Sequence, residues 1–244
     1  MSADHVAKIL APQGRLRAAI NFGNSVLAQR DSAGGPPRGV AIDLSRELAR
    51  RLQVQLELVP YDAAGKVVDA LTSDAWDVAF LAVDPKRLEQ IVFSPPYVLI
   101  EGNFVVRKTS PIRSAKDVDR PGVRLAVGSG TAYELFLSRN LELAHLDRFP
   151  TTAIAFSHFI EDGYDVTAGV REVARSFVDS QPELLMLEDR FMVIEQAMAM
   201  PKRYKDAMHF MAKFIEELKA SGFVTDALKV SGQTATVAPP LRLG

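Results

Sequence analysis

No cysteine occurs in the 244 residues. Its absence removes disulfides, thiolate-ligated zinc, iron–sulfur clusters and thiol nucleophiles together, and it leaves the redox compartment open because a thiol-free chain tolerates either. An excess of one charge is also missing. Lys and Arg number 29 against 30 Asp and Glu, the net charge is -1, and the two signs are interspersed, which excludes nucleic acid and anionic membrane as partners. Long apolar runs are lacking too: the longest uncharged one, Ile91 to Ile100, contains Pro95 and Pro96 and is about half of the roughly 20 residues that cross a bilayer. Residues 1–12 place Asp4, His5 and Lys8 among a few apolar residues, without the basic and apolar regions of a secretory signal, so no export signal is expected in the chain as given. His5, His145, His158 and His209 fit no metal-site spacing, so no metal or other cofactor is expected. Ser129 sits outside the G-x-S-x-G frame of a nucleophile elbow. The pair Glu188-Asp189 reads as solvated loop charge, and the methionines between Met186 and Met211 read as core filling.

What is present is the makings of a globular α/β chain. With 48% hydrophobic and 24% charged residues a buried core is within reach, and at about 150 residues per domain the length fits one domain or two. Short apolar runs alternate with amphipathic stretches, the pattern of βα units on a largely parallel sheet. Strands are predicted at 16–21, 54–59 and 77–83, and a Gly- and Pro-containing loop runs through Arg38 to a helix over 40–52. That helix carries Val40, Leu44, Leu48 and Leu52 at four-residue spacing. A second helix is expected over 63–71. Asp84 before Pro85 has the form of an N-cap and first helical residue, which predicts a helix from there to about Val92, broken by Phe93 to Tyr97. Strands follow at 103–108 and 123–127, then a helix over 131–143, strands near 146–149 and 164–168 with a helix between, and another over 170–178. The chain ends with a return strand over 191–200, a long helix over 203–221 stopped by Gly222, a short helix over 224–230 and a Pro-containing tail. By composition alone, the polar stretch from Pro111 to Pro121 is the best candidate for a domain boundary.

Two expected helix N-termini have anion-binding chemistry. Arg87 projects from the first turn of the helix expected after Asp84-Pro85, where free main-chain N–H groups and the positive end of the helix dipole favour an anion and a guanidinium fork suits a carboxylate, although the tetrapeptide alone fits a surface arginine on a capped helix better. Gly128-Ser-Gly-Thr131-Ala132 joins an apolar strand to a helix and exposes main-chain N–H groups, although such a sequence is also a plain tight turn; it lacks the residues of a P-loop or dinucleotide fingerprint.

In combination these segments resemble the bacterial extracellular solute-binding proteins that serve polar amino-acid ABC transporters, over about residues 16–232. Gly39-Val-Ala-Ile-Asp43-Leu44 is similar to that family's G-x-D-x-D-L signature, with Ala41 in place of its first acid. WDVAFLAVDPKRLEQIVFSPPY, from Trp76 to Tyr97, is similar to its central motif, Val127 to Thr131 to its second-lobe loop, and Ser221-Gly222-Phe223 with Leu228 to its C-terminal pattern. The resemblance implies a two-lobed, type II periplasmic-binding-protein-like α/β fold of two mostly parallel sheets flanked by helices. Lobe 1 would comprise 1–100 and 193–244 and lobe 2 103–190, joined by two hinge strands that close on a ligand. It further implies that Arg87 grips the ligand carboxylate, that Gly130, Thr131 and Ala132 supply donors, and that Asn21, Asn24, Ala79, Phe80 and Ala82 line the cleft. Where amino-acid binders carry an acid to receive the ligand ammonium, this chain has Val170 and Arg171. A carboxylate ligand without an α-ammonium is therefore expected, with a second acidic group near Arg171, while Glu101, Glu195 or Asp62 are the residues able to rescue an amine. The expected function is solute binding by a periplasmic monomer for an ABC permease or a sensor. The alternatives are a cyclohexadienyl-type dehydratase using Glu101 or Glu195, and a cytoplasmic binding module, the last consistent with the missing export signal.

Overall fold

The computed structural model describes residues 1–31 and 34–241; Ser32 and Ala33 of the loop before Arg38, and the last three residues of the tail, lie outside the described residues. The chain forms two compact units, unit 1 from Met1–Leu99 with Glu195–Gly244 and unit 2 from Ile100–Ile194.

Unit 1 opens with α1 (Ala3–Leu10), for which residues 1–12 gave no pattern. Ser2 caps it by accepting the His5 N–H, and Val6 and Leu10 are buried. Then come β1 (Arg15–Asn21), α2 (Val40–Leu52), β2 (Gln55–Tyr61), α3 (Ala64–Asp69) and β3 (Val78–Ala82). The leucine stripe of α2 is buried, as its spacing requires. β1 lies between β2 and β3 and is parallel to both, so Asn21, Tyr61 and Ala82 end their strands on one edge. β3 is buried at all five positions. Its side chains alternate between faces: Ala79 and Leu81 pack with Ala19, Val67 and Trp76, whose indole N–H donates to the Val67 carbonyl at 2.8 Å, while Phe80 meets the Tyr97 ring edge-on at 6.2 Å.

The helix expected over 84–92 is not formed. Asp84 closes only a turn, its carboxylate accepting the Lys86 N–H at 2.9 Å and its carbonyl the N–H groups of Arg87 and Leu88, and a 3₁₀ turn spans Arg87–Glu89. The chain then extends as β4 (Ile91–Arg107), which includes the Phe93 to Tyr97 segment expected to be a breaker. Burial of Ile91 against Trp76 and Leu81 explains the difference, because a helix continuing to Val92 would carry this β-branched residue off the core.

Unit 2 contains β5 (Arg124–Gly128), α4 (Ala132–Asn140), β6 (His145–Phe149), α5 (Thr152–Glu161), β7 (Val166–Val170), α6 (Arg171–Asp179) and β8 (Leu184–Met186). β5 lies between β6 and β7 and is parallel to both, while the later part of β4 runs antiparallel to β7 and β8. Its core gathers Phe104, Leu125, Val127, Tyr133 and Val166, with Phe191 stacked on Phe104 at 4.1 Å. The stretch from Pro111 to Pro121 lies inside this unit, contrary to the boundary its composition suggested. Its polarity serves a clamp: the Asp119 carboxylate accepts the N–H groups of Glu142, Leu143 and Ala144 at 2.8 to 3.2 Å.

β9 (Met192–Pro201) returns the chain to unit 1, where it pairs antiparallel with β3. The long helix expected from Arg203 begins instead as a 3₁₀ segment, Lys202–Ala207, with a kink at Tyr204, before α7 (Met208–Ala220), which Gly222 ends in the left-handed region at φ 83°. α8 (Phe223–Val230) follows, and β10 (Thr236–Val237) pairs with Val98 and Leu99 of β4.

Candidate functional site

Most candidate residues stand at or just beyond the C-terminal ends of parallel strands, β1, β2 and β3 in unit 1 and β5 and β7 in unit 2, where open α/β sheets leave room for ligands. In unit 1 the three strand ends lead to Asn21 and Asn24, to Asp62, and to Ala82 and Arg87. Both asparagines use their carboxamide oxygen on the local turn, Asn21 accepting the Gly23 N–H at 3.0 Å and Asn24 the Val26 N–H at 3.2 Å, which leaves the amide nitrogens as donors. Arg87 is buried, only 3% exposed, and one guanidinium nitrogen donates to the Ala82 carbonyl at 2.8 Å. The planar guanidinium fork matches the geometry of a carboxylate, which it can bind with two parallel bonds. The helix-dipole contribution expected at Arg87 falls away, since a single 3₁₀ turn has no macrodipole to speak of. Of the β3 residues expected to line a cleft, Phe80 and Ala82 share a face; Ala79 faces the core around Trp76 instead.

In unit 2 the turn after β5 is tightly constrained. A side chain at Gly128 would place its Cβ 2.8 Å from the Thr152 nitrogen, and Gly130 takes a φ of 66°, so both positions require glycine. Thr131 caps α4, accepting the Glu134 N–H at 3.2 Å, and its hydroxyl donates to the Gly128 carbonyl at 2.8 Å. Glu134 reaches back to the Gly130 N–H at 3.0 Å and is itself held by Arg148 at 2.8 Å. Two of the donors expected here, the Gly130 N–H and the Thr131 hydroxyl, are thus engaged within the protein. The open first turn of α4 retains the main-chain N–H groups at Thr131, Ala132 and Tyr133.

The expected acids have partners as well. Asp62 pairs with Lys66 at 2.8 Å, and this contact holds its carboxyl below the usual range. Glu101, in β4, receives Arg171 at 3.1 Å on one carboxylate oxygen and Arg190 at 2.5 Å on the other. Glu195 is exposed. Arg190 is a residue that sequence reasoning missed; its only signal was a basic residue immediately before the return strand. Glu172, beside Arg171 in the first turn of α6, has one carboxylate oxygen buried without a hydrogen-bond partner, and burial pushes its carboxyl up, with the Glu101 charge adding to the effect and Arg171 opposing it. Among the described residues no group of three or more His, Asp or Glu side chains is placed to hold a metal ion.

A model of the bacterial extracellular solute-binding proteins, family 3, matches residues 27–229. The chain belongs to this family. Over 99 residues it is 34% identical to the octopine-binding periplasmic protein of Rhizobium meliloti, a stretch that covers 40% of this chain and 30% of that protein. Two solved structures share the fold of this family 3 protein: holo ArgBP from T. maritima and the cysteine-binding protein from Campylobacter jejuni. The first is 25% identical, with a TM-score of 0.74 over 91% of this chain and 97% of the other. The second is 19% identical, with a TM-score of 0.79 over 96% and 100% respectively.

Proposed function

We propose that this family 3 protein captures a small carboxylate-bearing solute in a cleft between its two units, which close on it by hinge motion in β4 and β9, and delivers it to an ABC permease or a sensor from the periplasm. The observation that carries the reading is Arg87, a buried guanidinium at the C-terminal edge of the unit 1 parallel strands, in a chain whose family binds solutes. The main-chain N–H groups of Thr131 and Ala132 are its counterpart in unit 2, with the amides of Asn21 and Asn24 and the surfaces of Phe80 and Ala82 completing the lining. Arg171 stands in the ligand-facing set where an ammonium would need an acid, and Glu101 and Asp62 are already committed to arginine and lysine partners. A solute without an α-ammonium is therefore favoured over a simple amino acid. Both carboxylate oxygens of Glu101 are engaged by guanidinium groups, which argues against a dehydratase built on that residue.

A thermal-shift screen of organic acids beside basic and polar amino acids tests the reading. Stabilisation by organic acids, reduced at least about a hundredfold in affinity by Arg87→Met with the far-UV spectrum unchanged, is the expected result. Stabilisation by amino acids alone would overturn the ligand class. Incubation with prephenate or arogenate is expected to give no product.

A further inference from the structure

Glu101, Arg171 and Arg190 meet within unit 2 in an arrangement that is poorly explained as structural support. One carboxylate is shared by two guanidinium groups, each of which places a single N–H on it and makes no other side-chain hydrogen bond among the described residues. The three side chains are between 31% and 55% exposed, a setting in which ion pairs add little to stability. The three hydrogen-bonded groups, two guanidinium groups and one carboxylate, sum to one positive charge. Arg171 is the first residue of α6, whose N-cap Val170 offers no side-chain acceptor, so the positive end of the helix adds to the same local potential. The buried, unpartnered oxygen of Glu172 makes no hydrogen bond to either arginine, so Glu101 is the one acid that holds them by direct contact among the described residues.

We propose that Arg171 and Arg190 form a second anion-receiving site, for which the protein's own Glu101 carboxylate is the resident competitor, so that the protein selects solutes carrying two acidic groups. The inference rests on the reading above, in which Arg87 takes the first carboxylate. Arg171 and Arg190 each have N–H donors left over from Glu101, and a planar anion entering between them is bound by donors already oriented. Glu101 keeps the two arginines in place and also repels the incoming charge, which makes it a specificity-determining residue: it sets how strongly a dianion is preferred.

The test is calorimetric titration of the full chain with linear dicarboxylates of three to six carbons and with the monoamide of each. The expected result is that the best dicarboxylate binds about tenfold or more tightly than its monoamide. Arg190→Gln and Arg171→Gln are expected to bring that ratio close to one, and Glu101→Gln to raise it by removing the competitor. An equal affinity for dicarboxylate and monoamide in the unaltered protein, or a ratio untouched by Arg190→Gln, would overturn the inference while leaving capture by Arg87 intact. Binding of every probe that survives Arg87→Met would instead remove the underlying reading, and failure of all probes to bind would remove both. Phenylglyoxal labelling mapped by mass spectrometry reads the same arrangement without a ligand. Faster labelling of Arg171 and Arg190 in Glu101→Gln supports the competitor role, and an unchanged rate overturns it.

Discussion

Units 1 and 2 repeat one plan with different chemistry. In each, the first strand of the plan lies between the second and third, parallel to both: β1 between β2 and β3, β5 between β6 and β7. Each also has an arginine soon after the third strand, Arg87 in one and Arg171 in the other. Unit 1 buries its arginine against a main-chain carbonyl, whereas unit 2 leaves its arginine half-buried on a shared carboxylate. The turn after the first strand also differs, since unit 1 has two asparagines that brace it with their side-chain oxygens and unit 2 has a glycine turn with no room for a side chain at Gly128. The same strand plan thus carries an asparagine turn and a buried arginine in one unit and a glycine turn and a half-buried arginine in the other, with the strands constrained by packing and the turns free to vary.

Perturbing each core separately tests whether the repetition extends to stability. The only tryptophan, Trp76, belongs to unit 1, so its fluorescence reports on that unit while circular dichroism reports on both. Trp76→Ala removes a fully buried ring and its hydrogen bond, and is expected to cost about 3–5 kcal/mol in urea unfolding followed by circular dichroism. A single displaced transition would mean that the units unfold together, and a displaced transition beside an unmoved one would mean that they do not. The effect of Gly128→Ala in unit 2 is expected to be smaller, about 1–3 kcal/mol, because the added methyl meets the Thr152 backbone and either α5 or the turn must give way. A cost confined to the noise would show that the turn is looser than its close approach implies.

Acid titration makes the finest contrast, between one carboxyl in each unit, because Glu47 and Glu172 are shifted in opposite directions. In unit 1, Arg50 and Arg51 hold the Glu47 carboxyl down to about 2, so its contribution is present above the ordinary value of 4.5 and is lost as pH falls towards 2. In unit 2, Glu172 lies above 4.5 because of burial, so its favourable neutral form is available below 4.5 and its contribution is lost as pH rises through the folded-state value. Glu172→Gln is therefore expected to match the parent near pH 4 and to exceed it in melting temperature at pH 7. Glu47→Gln is expected to be weaker than the parent at pH 7 and to converge with it as pH approaches 2. Parallel pH profiles for the two variants would contradict the contrast.

Much of this was legible from spacing. The α2 stripe, the continuous apolar β3 and the glycine stop after α7 follow from local rules, and their burial matches. Where local rules conflicted with tertiary contacts, the contacts won. Asp84-Pro85 carries a helix-start signal, yet Ile91 is worth more in the core than in another helical turn. Arg87 and the Gly128 turn were visible as candidates because their neighbours have turn chemistry. Arg190 was invisible because its meaning depends on Glu101, a partner remote in sequence, and the capture of the Gly130 N–H by Glu134 was missed because a capping acid looks like any other first-turn acid.

Unit 2 is one uninterrupted stretch of chain, and its ends meet: the Phe191 N–H donates to the Gly102 carbonyl at 3.0 Å. At the level of the gene this makes it a cassette. A single crossover at each of two codon positions can exchange the whole of unit 2, with Arg171 and Arg190, between homologues while unit 1, with Arg87, is inherited intact, so such a lineage can change half of the molecule by recombination in one event.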